Sequence, residues 1–317
     1  MNMTTTAVEK QKPFELTGND HRYLEALFQY HYLTASQLTH LFYKMGMLTT
    51  VKARLKRLVD NKYLQAIRLP TTKAKSPYVY TLAAKGIAHL ERMGYELTKQ
   101  YRPSKEEEKS WLFLYHTLGI NDFLLACLHL QQYVSGLKLE TVLHDLTLKH
   151  DPCLVTLHKK RQDGSEYTRV YHLVPDSWVH FILERGSKSY HKAVWLELDR
   201  ASVDVKPFKE KLRSILVYFK SKEYHKRFAT KSLVVCFATT GGKQRVEQMR
   251  KWIREELSAT KEPPYLAKMF YSTALPQTSS TDGQKTTYVP LDAQVLFLSP
   301  VWYLPFDDKP VSLFTLE

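Results

Sequence analysis

Apolar residues recur at helical spacing in three segments near the start of the chain. The first predicted helix begins near Asp20, and the second begins at Thr34. Because Gln37 follows three residues later, the Thr34 hydroxyl and the Gln37 side chain are predicted to cap this helix reciprocally. A third helix is predicted over residues 49–62, where apolar residues occupy one face and basic residues the other. The pattern therefore predicts a cluster of three helices.

Two short β-like segments follow this cluster. Residues 63–69 and 77–82 are rich in aromatic and β-branched side chains, and a turn-rich loop at 70–76 joins them before a last helix. Three helices followed by a hairpin is the order of a winged helix-turn-helix, in which the third helix enters the major groove of DNA. We assign residues 18–100 to such a domain, after a flexible tail at 1–17.

Basic residues are concentrated in this first region. The chain has 46 Lys and Arg against 32 Asp and Glu, a net charge of +14, which favours a polyanionic partner. Residues 49–75 hold eight of the basic residues against Asp60 alone. The side chains expected to contact double-stranded DNA are Thr50, Lys52, Arg54, Lys56, Arg57, Lys73 and Lys75. Most would meet phosphates, while the guanidinium of Arg54 also matches two acceptors on a guanine edge.

Two other interpretations of this region stay open. The third helix is also consistent with an ordinary amphipathic helix whose basic face is solvated, and winged helices also mediate protein contacts. The order of elements, the basic loop and the concentration of charge together favour contact with DNA.

Composition restricts the class of protein further. Hydrophobic residues make up 44% and charged residues 25%, which is typical of a folded globular protein. No window approaches the roughly 18 uncharged apolar residues of a membrane-spanning helix, and the first residues lack the apolar core of a secretory signal. Cys127, Cys153 and Cys236 lie far apart, so neither a disulfide framework nor a zinc site is expected. We therefore expect a cytoplasmic protein without a membrane partner.

A second domain is predicted over residues 110–317, after a polar linker at 101–109. Strand-like and helical segments alternate in it, which predicts an α/β (α+β) core with a mixed sheet. Strands are predicted over 138–148, 193–199, 232–240 and 293–299, and two more within 170–183 meet at Pro175-Asp176. Helices are predicted over 111–134, 206–226 and 242–257. Residues 146–170 are expected to be irregular or to form a hairpin.

Carboxylates gather at the end of the strand predicted over 193–199. Side chains alternate across a strand, so Trp195, Glu197 and Asp199 share one face while the other face is apolar. Asp176 lies at the end of a preceding strand, and adjacent strands would bring the three carboxylates into one site of hard oxygen ligands. Mg²⁺ prefers such ligands, with Mn²⁺ as a substitute, and a site of this kind can activate water against a phosphodiester.

The same carboxylates have a simpler explanation. Glu197 and Asp199 at a solvated strand end would pair with neighbouring cations, namely Arg200, Lys192 or Lys206. Such surface pairs are common and need no catalytic role. The upstream Pro175-Asp176 and the predicted DNA-binding domain are the observations that keep the catalytic interpretation in place.

The spacing of these acids resembles the PD-(D/E)xK nuclease superfamily. Pro175-Asp176, twenty intervening residues and the ELD at 197–199 lie within an α-β-β-β-α-β order. The resemblance implies a restriction-endonuclease-like fold in which Asp176 and Glu197 hold a metal and a lysine two residues later polarises water or the phosphate. Asp199 occupies that lysine position here. The resemblance therefore implies that another lysine (Lys192, Lys206 or Lys209) supplies the charge, that catalysis differs, or that the domain no longer cuts DNA.

Nearly the whole chain also resembles the bacterial replication-relaxation family of plasmids and integrative elements. The stretches that carry this resemblance are, in order, YHYLTASQLTHLFY, ARLKRLVDNKYL, SPYVYTLAAKG, YHTLGINDF, VPDSW and WLELDR. The resemblance implies a role in the replication, mobilisation, transposition or maintenance of mobile DNA.

Two functional hypotheses follow. In the first, the protein is a Mg²⁺-dependent DNA endonuclease or nickase with Asp176, Glu197 and Asp199 as catalytic residues. In the second, it is a non-catalytic replication initiator or transcriptional regulator that binds DNA and replication or mobilisation proteins. Either protein could act as a homodimer.

Three further side chains are weaker candidates for a functional role. His116 and Asp122 lie six residues apart on the long predicted helix and so on different stripes, and a buried hydrogen-bonded role is expected unless this helix packs beside the carboxylates. Tyr218 would be the nucleophile of a relaxase, although amphipathic packing explains it as well. Gly241-Gly242 lacks the spacing of a phosphate-binding loop, so nucleotide hydrolysis is not expected.

Overall fold

A computed structural model describes residues 14–70, 77–97, 103–106, 108–161, 163–282 and 285–315. They form two units, of which the first holds the described residues up to Lys109 and the second begins at Ser110. Each unit combines helices with a β-sheet, so the expected mixed α/β class is confirmed.

Four helices and a small antiparallel sheet make up the first unit. The elements are α1 (Gly18–Tyr30), β1 (Leu33–Thr34), α2 (Ala35–Phe42), a 3-10 turn (Met45–Met47), α3 (Leu48–Asp60), β2 (Leu64–Arg68), β3 (Tyr78–Leu82) and α4 (Ala84–Arg92). The strands pair in the order β1-β3-β2. The reciprocal cap predicted for α2 is confirmed, because the Gln37 amide donates to Thr34 Oγ1 at 3.1 Å while the Thr34 amide donates to the Gln37 side chain at 2.9 Å.

The amphipathic pattern of α3 fixes its orientation in this unit. Val51, Leu55 and Leu58 are almost completely buried at helical spacing. Burying them against α2 and β2 leaves Lys52 and Lys56, on the opposite face, exposed to solvent. The segment expected to be a linker also contacts this unit, where the hydroxyl of Tyr32 donates to the buried carboxyl of Glu106.

The second unit is built around a five-stranded sheet. Its elements are α5 (Trp111–Leu130), β4 (Leu137–His144), α6 (Asp145–His150), β5 (Cys153–Lys160), β6 (Glu166–Leu173), β7 (Ser177–Arg185), β8 (Lys188–Asp199), α7 (Val205–Lys220), α8 (Lys222–Phe228), β9 (Val234–Thr239), α9 (Gly242–Ala259), a 3-10 helix (Pro264–Met269), β10 (Phe270–Ala274), β11 (Ser279–Asp282), β12 (Lys285–Tyr288) and α10 (Ala293–Leu298).

The sheet is mixed and has the strand order β10-β9-β8-β7-β4. β8, β9 and β10 are parallel to one another, whereas β7 pairs antiparallel with both β8 and β4. The parallel strands therefore end together at Asp199, Thr239 and Ala274, and β7 begins at the same edge of the sheet. This edge is where the sequence places its acidic residues.

Helices cover both faces of this sheet. On one face, Trp195 packs in a common core with Phe208 and Leu212 of α7 and with Ile253 of α9. On the other face α5 lies so close to β8 that a Cβ on Gly119 would come within 2.8 Å of the Leu198 side chain. The alternation predicted along β8 is thus observed, and the side of Trp195 and Glu197 faces α7 and α9.

Three predicted segments differ in the structure. Residues 206–226 form two helices, because Ser221 is extended and begins α8. Residues 293–299 form α10 rather than a strand, since the Asp292 side chain accepts hydrogen bonds from the first amides and caps a helix. Residues 145–150 form α6 beyond the end of β4. In the last two segments the apolar runs are too short for periodicity to separate helix from strand.

The expectation that no segment could span a membrane needs correction. Within the described residues, α5 is long and apolar enough to cross a membrane by length and composition alone. In the structure, 61% of its most apolar window is buried inside the protein. That burial is typical of a core helix.

Candidate functional site

Asp176 and Glu197 lie beside each other at the edge where β8 ends. β7 and β8 pair with Ser177 opposite Leu196, so Asp176 and Glu197 are the next neighbours on the two strands. The Asp176 amide donates to the Leu196 carbonyl at 3.1 Å, and the Leu198 amide donates to Asp176 Oδ2 at 2.6 Å. The Asp176 side chain therefore replaces a backbone acceptor in the last hydrogen bond between the two strands.

His116 of α5 also contacts Asp176. Its Nε2 lies 3.2 Å from Asp176 Oδ1, and the imidazole is 27% exposed. Burial acts to lower the pKa of His116, but the hydrogen bond and the charge of Asp176 raise it overall. Burial likewise acts to raise the pKa of Asp176, yet the His116 hydrogen bond and the charge of Lys211 hold it below its usual value. The pair therefore favours imidazolium and carboxylate.

Lys211 of α7 supplies a cation to the second carboxylate. Its Nζ donates to Glu197 Oε2, while the indole Nε1 of Trp195 donates to Glu197 Oε1 at 2.8 Å. Glu197 is only 8% exposed, whereas Lys211 keeps 37% of its side chain exposed. Burial acts to lower the pKa of Lys211, and the charges of Glu197 and Asp176 raise it overall. Lys211 thus remains a cation that solvent reaches.

The two carboxylates differ in how readily they ionise. Burial, together with the charge of Asp176, raises the pKa of Glu197 to about 7, although Lys211 acts in the opposite direction. Two acids held side by side with one lysine cannot both ionise as easily as either would alone. Perturbed carboxyl groups of this kind are enriched at functional sites.

The position of Lys211 in the sequence indicates a partner inside the protein, although Lys211 lies outside the strand that carries the acids. Lys211 lies in the stripe formed by Phe208, Leu212 and Ile215, all of which are buried. A cation at an inward position of an amphipathic helix needs a partner in the protein, and here that partner is Glu197. The lysines expected from the sequence have other contacts, since Lys192 donates to the Leu313 carbonyl and Lys209 to Glu255, while Lys206 is exposed.

Asp199 does not join this cluster as the sequence predicted. Arg245 of α9 binds it through two hydrogen bonds, from Nε to Oδ2 at 2.7 Å and from Nη2 to Oδ1 at 3.1 Å. Thr239 Oγ1 donates to Oδ2 at 2.9 Å as well. Burial acts to raise the pKa of Asp199, but the Arg245 and Thr239 hydrogen bonds lower it overall. Because these donors occupy its carboxylate, Asp199 links β8 to α9 and does not contact Asp176 or Glu197.

The remaining candidates of the second unit are structural. Asp122 accepts hydrogen bonds from Thr278 Oγ1 and from the Tyr288 hydroxyl, each at 2.6 Å. Tyr218 is 4% exposed within the core, and burial raises the pKa of its hydroxyl beside Cys153. A buried phenol of this kind is packed like its apolar neighbours, as the sequence favoured.

In the first unit, four of the residues predicted to contact DNA are solvent-exposed: Thr50, Lys52, Lys56 and Arg57. Lys56 also pairs with Asp60 at 2.6 Å on the same exposed face. Lys73 and Lys75 fall outside the described residues. The exposed face of α3 is therefore a basic surface of this unit.

Arg54 has a different role from the one expected. Its Nε donates to Asp20 Oδ1 at 2.6 Å and its Nη2 to Asp20 Oδ2, and the Asp20 side chain is completely buried. Its guanidinium also lies over the ring of Phe14, 4.8 Å from the centroid. A guanidinium that already donates two hydrogen bonds to Asp20 cannot bind a guanine edge at the same time. Arg54 instead holds α3 against α1.

Asp176 and Glu197 offer a divalent cation two carboxylates and no third ligand. Within the described residues, no group of three or more His, Cys, Asp and Glu side chains is arranged to hold a metal. Each oxygen of the pair accepts one protein hydrogen bond and keeps a second lone pair. Mg²⁺ is commonly held by one or two carboxylates with water and substrate phosphates, so the donor chemistry fits this ion.

Comparison with known proteins assigns the chain to a family. The family profile described as replication-relaxation matches residues 24–233, about two thirds of the chain. The chain belongs to the replication-relaxation family. Membership in the replication-relaxation family indicates a role in the replication or mobilisation of plasmids or other mobile elements. The matched region includes Asp176, Glu197 and Lys211 but ends before Arg245. No curated protein matches the chain.

Proposed function

We propose that this protein is a metal-dependent DNA endonuclease or nickase that acts in the replication or mobilisation of its element. The observation that carries the proposal is the contact of Lys211 with Glu197 where Glu197 lies beside Asp176. Two carboxylates and a lysine are the set of side chains that the resemblance to PD-(D/E)xK nucleases implies.

The topology of the second unit supports this proposal. The elements α5, β4, β7, β8, α7 and β9 follow the α-β-β-β-α-β order that the resemblance to PD-(D/E)xK nucleases implies, with the β5–β6 hairpin inserted. Asp176 and Glu197 occupy the two acidic positions of that motif. In place of the lysine on the strand, where Asp199 stands, Lys211 reaches Glu197 from the next helix.

Each residue has a distinct task in the proposed reaction. Asp176 and Glu197 would hold Mg²⁺, which when bound supplies a Lewis acid and lowers the pKa of a coordinated water. Lys211 would supply a positive charge that stabilises the negative charge developing on the phosphate. His116 would orient Asp176 through their hydrogen bond, with its Nε2 3.2 Å from Asp176 Oδ1.

The first unit is proposed to hold the duplex as a winged helix. The order α1, α2, α3 and the β2–β3 hairpin is that of the fold, and α3 would enter the major groove. Lys52, Lys56 and Arg57 would neutralise phosphates, and the sequence predicts the same role for Lys73 and Lys75, which lie outside the described residues. Arg54 is left out because Asp20 engages its guanidinium.

Nicking of supercoiled plasmid in the presence of Mg²⁺ tests the catalytic part. The wild-type protein is expected to relax the plasmid, and Glu197→Gln and Lys211→Met each to lower the rate by at least about 100-fold, the scale on which an electrostatic contact to the transition state acts. Lys209→Met is the matched control, because Lys209 lies on the same helix but pairs with Glu255. Equal cutting by all four proteins would reject this site.

A second candidate function has an observation of its own. All four carboxylate oxygens of Asp176 and Glu197 already accept hydrogen bonds from the protein, so the cluster has hydrogen-bond partners without a bound ligand. A replication initiator or regulator that retains the fold without cutting would have such a cluster. Sequence-specific DNA binding without nicking by the wild-type protein would favour this candidate.

A further inference from the structure

An aromatic pair lies at the start of α5, directly before His116. The indole of Trp111 and the ring of Tyr115 are one helical turn apart, with centroids separated by 6.0 Å and planes at 83°. Trp111 is 50% exposed, and the neighbouring Leu112 is 52% exposed. Tyr115 directly precedes His116, whose imidazole contacts Asp176.

The exposure of Trp111 is exceptional among the tryptophans. The chain has five, and the other four, Trp178, Trp195, Trp252 and Trp302, are between 0% and 8% exposed. An indole is the largest apolar side chain, and leaving half of it in water forgoes hydrophobic stabilisation. A ligand that covers the ring would recover this stabilisation.

Arg200 adds a cation to the pair. It directly follows Asp199 at the end of β8, its Nη1 donates to the Leu112 carbonyl at 2.7 Å, and its Cζ lies 5.8 Å from the Tyr115 ring centroid. Among the residues that the structure describes, no carboxylate pairs with it. Arg200 is therefore held beside the rings with its charge available to a phosphate.

We infer that Trp111, Tyr115 and Arg200 form a binding surface for unpaired DNA bases next to the carboxylates. Aromatic rings beside cations bind single strands because every base has a face to stack and every nucleotide a phosphate. In a duplex these faces are covered by neighbouring base pairs, so the surface selects single-stranded or locally opened DNA. The inference that the bound DNA strand continues to Asp176 and Glu197 rests on the proposed nuclease function. The inference that the rings and Arg200 bind unpaired bases does not.

Binding measured without divalent metal tests this inference apart from cutting. The full chain is titrated, in the presence of EDTA, with a fluorescent thymidine oligonucleotide of about 12 nucleotides, within the usual site size for such surfaces. Trp111→Ala is expected to weaken binding about 10-fold, as loss of one stacked base predicts, whereas Trp111→Phe keeps most of the affinity. The duplex of the same length serves as the second ligand, and its affinity is expected to be unchanged.

Tyr265→Ala is the matched control, since Tyr265 is 69% exposed but precedes the opposite end of β10.

As a second readout, the oligonucleotide should protect the indole fluorescence of the wild-type protein from acrylamide, because only Trp111 is accessible to the quencher. Unchanged single-strand affinity of Trp111→Ala, or equal losses for single strand and duplex, would overturn the inference. A protein that fails to nick plasmid yet loses single-strand affinity in Trp111→Ala would reject the nuclease proposal alone.

Discussion

Two carboxylates on the same face of β8, two residues apart, have opposite properties. Glu197 pairs with the single ammonium of Lys211, lies beside Asp176, and has its pKa raised by burial and by that second acid. Asp199 is held by both arms of the Arg245 guanidinium and by Thr239, and these donors lower its pKa against the effect of burial.

The difference shows how partner geometry separates a reactive group from a structural one. A bidentate guanidinium satisfies a carboxylate and fixes it, whereas a lysine is a point charge that can turn towards another anion. Proximity to a second acid then makes Glu197, and not Asp199, the group that gains from an added cation.

The largest effect on stability is expected at the Arg245–Asp199 pair. Arg245→Ala should lower the free energy of unfolding of the second unit by about 3 kcal/mol, because it leaves a buried carboxylate without its cation. Urea denaturation followed by tryptophan fluorescence measures this, since all five tryptophans lie in that unit. Lys211→Met should cost clearly less, because Glu197 can take up a proton instead. Equal losses would remove the distinction between the two pairs.

A smaller, pH-dependent effect is expected at Glu197. Its pKa rises from 4.5 to about 7 on folding, so the folded state binds more protons across this window and its stability falls as the pH rises through it. Glu197→Gln mimics the protonated acid, and its stability relative to wild type should grow by about 2.5 kcal/mol between about pH 4.5 and about pH 7. Urea midpoints at several pH values measure the difference. A constant offset would mean that Glu197 ionises normally.

The smallest effect on stability is expected at exposed charges. Lys56 and Asp60 are 75% and 53% exposed, so replacing Lys52 and Lys56 with Ala should change the unfolding free energy by less than about 0.5 kcal/mol. The same change should reduce the slope of log affinity for duplex DNA against log salt by about 2, because two phosphate contacts are lost. Lys222→Ala with Lys226→Ala on α8 is the matched control. An unchanged slope would remove α3 from the DNA surface.

The sequence was informative wherever a single periodicity decided the structure. Alternation along residues 193–199 predicted which side of β8 carries Glu197, and the Thr34–Gln37 pattern predicted the cap of α2. The nearness of Asp176 to Glu197 followed from adjacent strands, because antiparallel pairing brings the two strand ends together. These inferences needed local geometry only.

The remaining features depended on which elements pack together. Asp199 was grouped with Glu197 because both point to one side, but α9 places Arg245 over the end of the strand and takes Asp199 away. Lys211 became a partner of Glu197 only because α7 crosses that face. Arg54 resembled its exposed neighbours in type, and only the buried position of Asp20 shows that it points inward.

The hydrogen bond from the Leu198 amide to the Asp176 carboxylate affects how the site forms during folding. One oxygen of an acid that would hold an ion also serves as a link in the sheet, so the acid is oriented as soon as β7 docks on β8. No separate rearrangement of this side chain is then required before a ligand arrives, and its position is as rigid as the backbone beside it.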